Sequence, residues 1–487
     1  MELEFSKTKV ITSLFWKLLE RVGTQGIQFL VQVILARLLF PKDYGILAIV
    51  VTFINIATVF IQSGFNTSLI QKKDTDENDY NSVFILGLIA AGVINVLFFF
   101  ISPVVAKFYD EPQLTSILRV LSLTLFASAI TSVQFAIISK KMLFKEQFLN
   151  TLLATVFSGI AGVFFAYMGF GVWSLVIQQL VSQVFVTLSL FRVLDWRPKF
   201  YFSIQKIKVL FSFGWKLLVS GLIDTTDKEI RGLLIGKLYS RDVLGFYNRG
   251  NQFPLLIVSN INGSIQSVLF PTLASQQDNR EKVKSIMRRA IITSSFLIFP
   301  IMVGLSVVSE PLVRLLLTEK WLGIIPFLQI FCASYALWPI HTANLQAINA
   351  VGRSDISLKL EIIKKIIGLI ILVSTAFYGV YVLALGTLAT GIISSFINAY
   401  PNKRLLNYSY FEQIKDIFPY IVISVIMGCI VYPIKWLGLY DIITLLLQFF
   451  AGVFIYVILA KALNLECLDY LLGTLKELKI NIKKNEE

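Results

Sequence analysis

The sequence predicts an all-α polytopic membrane protein with fourteen transmembrane helices. Of its 487 residues, 56% are hydrophobic and only 15% are charged, whereas soluble domains average about 25% charged residues. The mean hydropathy is +0.73. These residues provide too little polar surface for a soluble protein of this length, so lipid must surround most of the chain.

Apolar windows long enough to cross a bilayer recur along the whole chain. A bilayer core needs roughly 20 apolar residues in a helix, and such windows centre near residues 26, 54, 94, 127, 158, 182, 222, 256, 297, 335, 368, 390, 424 and 451. Basic residues concentrate in alternate links, which places both termini in the cytoplasm by the positive-inside rule. Leucine and lysine alternate at helical spacing after residue 465, which indicates an amphipathic cytoplasmic tail or a frayed basic end.

An internal repeat divides these spans. The segment FWKLL at 15–19 recurs as GWKLL at 214–218, and FPKDYG at 40–45 recurs as YSRDVLG at 239–245 with one inserted residue. We therefore expect two six-helix bundles in a parallel, pseudo-two-fold repeat. The predicted domains are a first bundle at 1–200, a second bundle at 201–405, two additional transmembrane helices at 406–464 and a cytoplasmic tail at 465–487.

Polar and charged side chains form stripes at helical spacing in spans 1, 2, 7 and 8. A charge at the bilayer centre costs on the order of 3 kcal/mol or more, so these stripes must face protein or water. Amides and carboxylates suit sugar hydroxyls, and Lys or Arg suits phosphate. The stripes predict a hydrated path for a large anionic headgroup, and the alternative is a set of structural ion pairs and interhelical amide bonds. The substrate-binding candidates are Lys17, Arg21, Lys216, Lys228, Arg231, Arg249, Gln62, Asn66, Asn248, Asn262 and Gln266. The candidates for binding a coupling ion, Na⁺ or H⁺, are Glu20, Asp224 and Asp227.

Several other functional classes are not expected. The one histidine is His341, and Cys332, Cys429 and Cys467 lie far apart, so no metal-binding spacing exists. Basic residues are spread in ones and twos, which disfavours nucleic acid as a partner. The DxD at 74–76 resembles the metal–nucleotide motif of glycosyltransferases, but it lies in a short acidic link where a solvated loop is favoured. We predict no catalytic residues and no cofactor beyond the coupling ion.

Several longer segments resemble Wzx-type polysaccharide exporters of the multidrug/oligosaccharidyl-lipid/polysaccharide (MOP) superfamily. They include ARLLFPKDYGILAIVVTF, GFNTSLIQKKD, FYDEPQLTSILRVLSL, GVWSLVIQQL, DWRPKFYFS and GFYNRGNQFPLLIVSNINGSIQSVLFPTLASQQDN. The resemblance covers about residues 10 to 400 and is strongest to the colanic-acid and teichuronic-acid exporter branch. It implies a V-shaped pair of six-helix bundles with two added helices, an undecaprenyl-diphosphate-linked oligosaccharide as cargo, and alternating access.

The same resemblance implies roles for individual residues. The cations that would hold the diphosphate are Lys17, Arg21, Lys216, Lys228, Arg231 and Arg249, the last within the matching YNRG segment. The expected function is flipping of oligosaccharide repeat units from the cytoplasmic to the outer face of a bacterial plasma membrane, for surface polysaccharide or lipopolysaccharide. The protein would act as a monomer among membrane lipids, alongside polymerase and assembly proteins. The alternatives are a cation-coupled multidrug efflux transporter of the same superfamily and a membrane enzyme of polysaccharide assembly.

Overall fold

The computed structural model describes residues 7–62, 64–465, 467 and 468, and all regular structure within them is helical. Two 3₁₀ helices, Glu319–Ile324 and Tyr432–Leu437, interrupt longer helical stretches. The α-helices are α1 (Lys7–Leu38), α2 (Pro41–Gln62), α3 (Phe65–Gln71), α4 (Glu77–Phe108), α5 (Gln113–Ser122), α6 (Thr124–Lys141), α7 (Phe144–Tyr167), α8 (Val172–Val193), α9 (Ile204–Leu238), α10 (Arg241–Ala274), α11 (Arg280–Val307), α12 (Ser309–Leu317), α13 (Ile325–Tyr335), α14 (Trp338–Ala350), α15 (Ser354–Thr375), α16 (Val380–Ala399), α17 (Asn402–Leu405), α18 (Tyr410–Val431) and α19 (Asp441–Ala462).

Within the described residues, eleven helical stretches are long and apolar enough to cross a membrane. They are Pro41–Gln71, Glu77–Phe108, Gln113–Lys141, Phe144–Tyr167, Val172–Val193, Arg241–Ala274, Arg280–Val307, Glu319–Ala350, Val380–Leu405, Tyr410–Leu437 and Asp441–Ala462. The prediction of an all-helical, multi-pass chain is therefore confirmed.

Three further helices make up the difference between these eleven stretches and the fourteen predicted spans. They are α1, α9 and α15, with 32, 35 and 22 residues. Each is long enough to cross, but its charged and polar residues leave no stretch of spanning length as apolar as those of the other eleven, so its crossing stays a prediction. The predicted tail at 465–487 lies almost wholly outside the described residues.

The residues up to Gly245 form one compact unit. In this unit α7 packs between α1 and α8, and α9 packs along α2, α3 and α4. This unit contains an apolar core of twelve buried residues around Phe84 and Trp196, whose rings lie edge to face with their centroids 5.9 Å apart. The domain boundary predicted at 200/201 stays a prediction, and α9 lies in the same compact unit as the first eight helices.

The residues from Phe246 onward form a second compact unit. Here α11 packs against α13, α14 and α18, and α16 packs against α13, α14 and α15. Three fully buried amides join neighbouring helices, because Asn344 contacts both Gln413 and Asn402 through hydrogen bonds of 2.7 Å. His341 lies 3.2 Å from the amide nitrogen of Asn398, so this histidine has a polar partner within the helical core.

Two glycines matched by the sequence repeat form a reciprocal close contact within the first unit. A Cβ atom on Gly45 would lie 1.9 Å from the carbonyl oxygen of Arg241, and one on Gly245 would lie 2.2 Å from the carbonyl oxygen of Pro41. Each glycine thus packs against the start of the helix that carries the other. The absence of a side chain is required on both sides of this crossing.

We expect Gly45→Ala to lower the melting temperature of the purified protein in detergent. The added methyl group would overlap the Arg241 carbonyl, and overpacking of this kind costs about 1–3 kcal/mol. The matched control is Gly304→Ala in α11, where no atom lies within 4 Å of the new Cβ. A helical alanine there should be neutral or stabilising. Equal melting temperatures for the two variants would contradict the close-contact interpretation.

Candidate functional site

A polar cavity of about 300 Å³ lies along α2 and α9 in the first unit. Six of its seven lining residues are polar or charged, although both helices are set among apolar spans. The lining consists of Asn55, Thr58, Val59 and Gln62 from α2, with Thr225, Lys228 and Glu229 from α9.

The Glu229 carboxylate connects the two walls of this cavity. One oxygen accepts a hydrogen bond of 2.8 Å from the Thr52 hydroxyl, and the other accepts one of 2.8 Å from the Asn55 amide. Hydrogen bonds to a charged group are about twice as strong as those between neutral groups. Glu229 therefore fixes α9 against α2 at the level of the cavity.

Close contacts at glycines hold the same two helical segments together on either side of the cavity. At one end, a Cβ atom on Gly64 would lie 2.2 Å from the carbonyl oxygen of Gly214, and the φ of Gly64 is +87°. At the other end, a Cβ on Gly236 would approach Ile49 to 3.1 Å. The α2–α3 segment and α9 therefore meet closely at both ends, and the polar cavity lies between these contacts.

The chemistry of the cavity suits a ligand that is both anionic and rich in hydroxyl groups. Lys228 is exposed within the lining and supplies a cation. The Asn55 and Gln62 amides can donate to and accept from hydroxyls, and Glu229 can accept. A lysine is a common partner of phosphate, while amides and carboxylates are common partners of sugars.

The structure brings two predicted site residues into this cavity, Lys228 and Gln62. Asn66 lies in α3, where its amide donates to the Ser132 carbonyl at 3.1 Å. On α9, Lys216 and Asp224 are exposed, while Asp227 and Arg231 are half-buried; none of these four lines the cavity.

The predicted residues of α1 lie on the helix that packs against α7. The Glu20 carboxylate accepts a hydrogen bond of 3.0 Å from the Gln147 amide. Lys17 and Arg21 belong to the same helix, but their side chains lie outside the described part of the chain.

The predicted residues of α10 divide into buried and exposed positions. Arg249 is buried, and its guanidinium donates to the side-chain oxygen of Gln252. Asn262 is also buried and accepts a hydrogen bond of 2.6 Å from Thr342. Asn248 and Gln266 are exposed. Buried polar groups with such partners also fit the structural alternative stated above, interhelical amide bonding.

Glu229 is a residue of the cavity lining that the sequence did not predict. It lies on the face of α9 that carries Thr225, Gly232 and Gly236, at helical steps of four, three and four. Small residues at such spacing mark a face that packs closely against another helix. An acid among them was the available signal that α9 presents a charge to its neighbour.

The DxD segment proves to be a folded junction. Asp76 caps the start of α4 in a reciprocal capping box with Asp79, and its carboxylate also accepts from Lys206 at 2.6 Å. Partial burial would raise the pKa of Asp76, but its hydrogen bonds with Lys206 and with the backbone and side chain of Asp79 lower this pKa to about 2. Asp74 and Asp76 are nevertheless both exposed in the link between α3 and α4, as a solvated acidic loop requires. In the described part of the chain no group of acids, cysteines and histidine is placed to hold a metal ion.

Asp79 is the buried centre of this junction. It is fully buried, and its carboxylate lies 2.6 Å from the Lys72 ammonium and 3.4 Å from that of Lys206. Because Lys206 belongs to α9 and Lys72 follows α3, this one acid joins three helices. We refer to Lys72, Asp76, Asp79 and Lys206 as the acidic junction.

Comparisons with known proteins agree with this architecture. A family described as polysaccharide biosynthesis protein matches residues 34–326. The succinoglycan biosynthesis transport protein ExoT of Rhizobium meliloti (strain 1021) is 23% identical over 70% of this chain and 69% of its own length. The lipopolysaccharide biosynthesis protein WzxC of Escherichia coli (strain K12) is 25% identical over 87% of this chain and 88% of its own.

A solved structure shares the fold. The lipid II flippase MurJ in an inward closed conformation superposes with a TM-score of 0.74 at 16% identity, covering 93% of this chain and 98% of that chain. The resemblance to Wzx-type exporters that the sequence indicated is confirmed by these matches. The chain is accordingly a multi-pass bacterial membrane protein.

Proposed function

The chain belongs to the polysaccharide biosynthesis protein family, and from this premise we propose that it is a flippase for lipid-linked oligosaccharides. It would move undecaprenyl-diphosphate-linked repeat units from the cytoplasmic to the outer face of the plasma membrane by alternating access, for export of surface polysaccharide. It carries this cargo without chemically converting it.

The observation that carries the proposal is that the family match spans both walls of the α2–α9 cavity. ExoT, which is named as a transport protein, is similar over most of the chain. In the proposed mechanism Lys228 holds the diphosphate, while Asn55, Gln62 and Glu229 bind the sugars. These are the groups that such a cargo needs, and an apolar drug needs none of them.

The size of the cavity supports a closed state. Ligand pockets usually measure about 300–1,000 Å³, and the 300 Å³ here lies at the lower limit of that range. An oligosaccharide with its diphosphate needs more room, so α2 and α9 would separate to admit it. The two Glu229 hydrogen bonds are contacts that this separation would break.

The finer topology belongs to the same proposal. We place α1, α9 and α15 in the membrane with the eleven apolar stretches, which gives fourteen spans and two cytoplasmic termini. The first two groups of six spans form the repeat, and α18 and α19 are the two additional helices. The reciprocal Gly45–Gly245 contact supports the repeat, because positions matched in sequence also make matched contacts.

Coupling to an ion is proposed at the acids of α1 and α9. Glu20, Asp224 and Asp227 stay candidates for Na⁺ or H⁺, and Glu229 joins them because it is the acid within the cavity. Protonation of Glu229 would weaken its two hydrogen bonds to α2. The remaining partners are membrane lipid and proteins of polysaccharide assembly, with the transporter itself a monomer.

The test is the lipid profile of a strain that lacks the gene. We expect complete diphosphate-linked repeat units to accumulate and surface polysaccharide to disappear, because assembly continues while translocation stops. Mass spectrometry of extracted lipids measures the first effect and quantification of surface glycan the second. Truncated glycans would instead identify an enzyme of assembly, and an unchanged lipid profile would favour the drug-efflux alternative.

A further inference from the structure

A second polar cavity, of about 480 Å³, lies in the second unit and is lined by residues of α11 and by residues 404–407 in and after α17. Four of its lining residues are basic and one, Glu281, is acidic. The basic residues are Arg280, Lys284, Arg288 and Arg404. We call this cavity the basic pocket, and none of its lining residues belongs to the α2–α9 cavity.

Two of the four cations are held in place by neighbouring groups. The Arg288 guanidinium makes two hydrogen bonds to the Asp416 carboxylate, at 2.7 and 2.8 Å, and the Tyr408 hydroxyl donates to the same carboxylate at 2.6 Å. The Lys284 ammonium donates to the Asn407 carbonyl at 2.5 Å and lies 3.8 Å from the Glu412 carboxylate. These contacts fix positive groups at the pocket before any ligand arrives, which lowers the entropic cost of binding.

The other two cations, Arg280 and Arg404, are exposed at the pocket. In the described part of the chain neither guanidinium has a hydrogen bond or ion pair to an acid. Arg280 is also the first residue of α11, where the helix dipole adds partial positive charge. The pocket therefore has an excess of positive charge that protein acids do not neutralise.

The basic pocket lies at the level of the lipid headgroups, judged from the ends of the apolar stretches beside it. Arg280 is the first residue of one apolar stretch long enough to span a membrane. Arg404 is the next-to-last residue of another, which ends at Leu405. The ends of such stretches lie at the membrane–water interface, where phospholipid phosphates are found. Arginine side chains bind phosphate with paired, charge-assisted hydrogen bonds.

We infer that the basic pocket binds a phosphate-bearing anion, separately from the transported cargo. Its dimensions and its interfacial position suit the headgroup of an anionic phospholipid. A free phosphate ester offers the same chemistry. Occupancy would join the start of α11 to the link between α16 and α18, so the anion would stabilise the second unit.

The experiment measures thermal unfolding of the full-length protein in neutral detergent during titration with phosphatidylglycerol, glycerol 3-phosphate or phosphatidylcholine. We expect phosphatidylglycerol to raise the melting temperature and phosphatidylcholine to have a much smaller effect. In the double variant Arg280→Gln/Arg404→Gln the titration midpoint should increase at least about tenfold, because two charge-assisted contacts are lost. The matched control is Lys282→Gln/Lys403→Gln, which removes the same charge from exposed positions outside the pocket lining.

The outcomes are distinct. A titration midpoint that shifts only in the arginine variant supports anion binding at the basic pocket. The same pattern with glycerol 3-phosphate alone would identify the bound anion as a soluble phosphate ester. If the arginine and lysine variants respond equally, or neither anion stabilises the wild type, the inference is wrong. Should the double variant fail to fold, Arg404→Gln alone, at an exposed residue of a four-residue helix, keeps the test decisive.

Discussion

Glu229→Ala is expected to reduce polysaccharide export at least about tenfold, while the protein still inserts into the membrane. The substitution removes both hydrogen bonds between α9 and α2 and the acid from the polar cavity. In the proposed mechanism Glu229 binds a sugar hydroxyl of the cargo. A hydrogen bond to a charged group contributes about 1.5–3 kcal/mol, and the loss of about 1.4 kcal/mol weakens binding about tenfold. Export is measured as surface glycan in the deletion strain complemented with each variant, normalised to the transporter detected in membranes.

Two further variants separate the roles of Glu229. Glu229→Gln keeps an oxygen that can accept from Thr52 or Asn55 but removes the charge, so we expect partial activity if hydrogen bonding dominates and none if ion coupling does. The matched control is Asp110→Asn, whose side chain is 81% exposed and pairs with Lys237 at 3.5 Å. Wild-type export by Glu229→Ala would remove the cavity from the mechanism.

Asp79→Asn is expected to give the largest loss of stability. Asp79 is fully buried, and removal of one partner from a buried ion pair costs about 3–5 kcal/mol. We expect the lower end of this range, since Lys72 and Lys206 have side chains that are 30% and 26% exposed and still reach water. The melting temperature of the purified protein in detergent is the measurement.

The control for Asp79 lies on the same turn of α4. Glu77 pairs with Lys199, and both side chains are about two-thirds exposed, at 66% and 67%. Surface pairs of this kind contribute about 0–1 kcal/mol, so Glu77→Gln should leave the melting temperature almost unchanged. An equal effect of the two substitutions would show that burial of Asp79 does not determine the strength of the acidic junction.

The fold was largely predictable because it depends mainly on the burial of apolar helices in lipid. The amino-acid composition and the length of the apolar stretches both reveal such helices. The limits appear at α1, α9 and α15, whose charges lower their apolarity although their lengths match those of the other spans. Hydropathy measures transfer into lipid, whereas a helix shielded by neighbours can keep polar residues. Pattern alone therefore identifies these helices but does not establish that they cross.

The candidate site was predicted only in part, and α9 shows why. The predicted stripe through Asp224 and Asp227 lies about 150° around the helix from the face of Thr225 and Glu229. Both faces carry polar residues, and the sequence does not state which one meets α2. Tertiary contacts determine which face of α9 packs against α2, since Glu229 accepts hydrogen bonds from Thr52 and Asn55, residues more than 170 positions away.

The same limit applies to buried candidates on α10. Arg249 lies in the YNRG segment that matches the exporters, and the family resemblance implied that this cation holds the diphosphate. The structure places this arginine in the interior, hydrogen-bonded to Gln252. Sequence spacing cannot distinguish a cation that lines a cavity from one enclosed by its own bundle.

The paired contacts of Gly45 and Gly245 bear on how such a chain could arise. In an ancestral homodimer, one gene position would supply the glycine on both sides of the crossing, so a single substitution there would damage the dimer interface twice. If the chain arose by duplication and fusion of such a gene, the two positions have since mutated independently, yet each still faces a backbone that excludes a side chain. Selection should therefore preserve both glycines even while the surrounding halves diverge, and the crossing would persist as a trace of the original dimer axis.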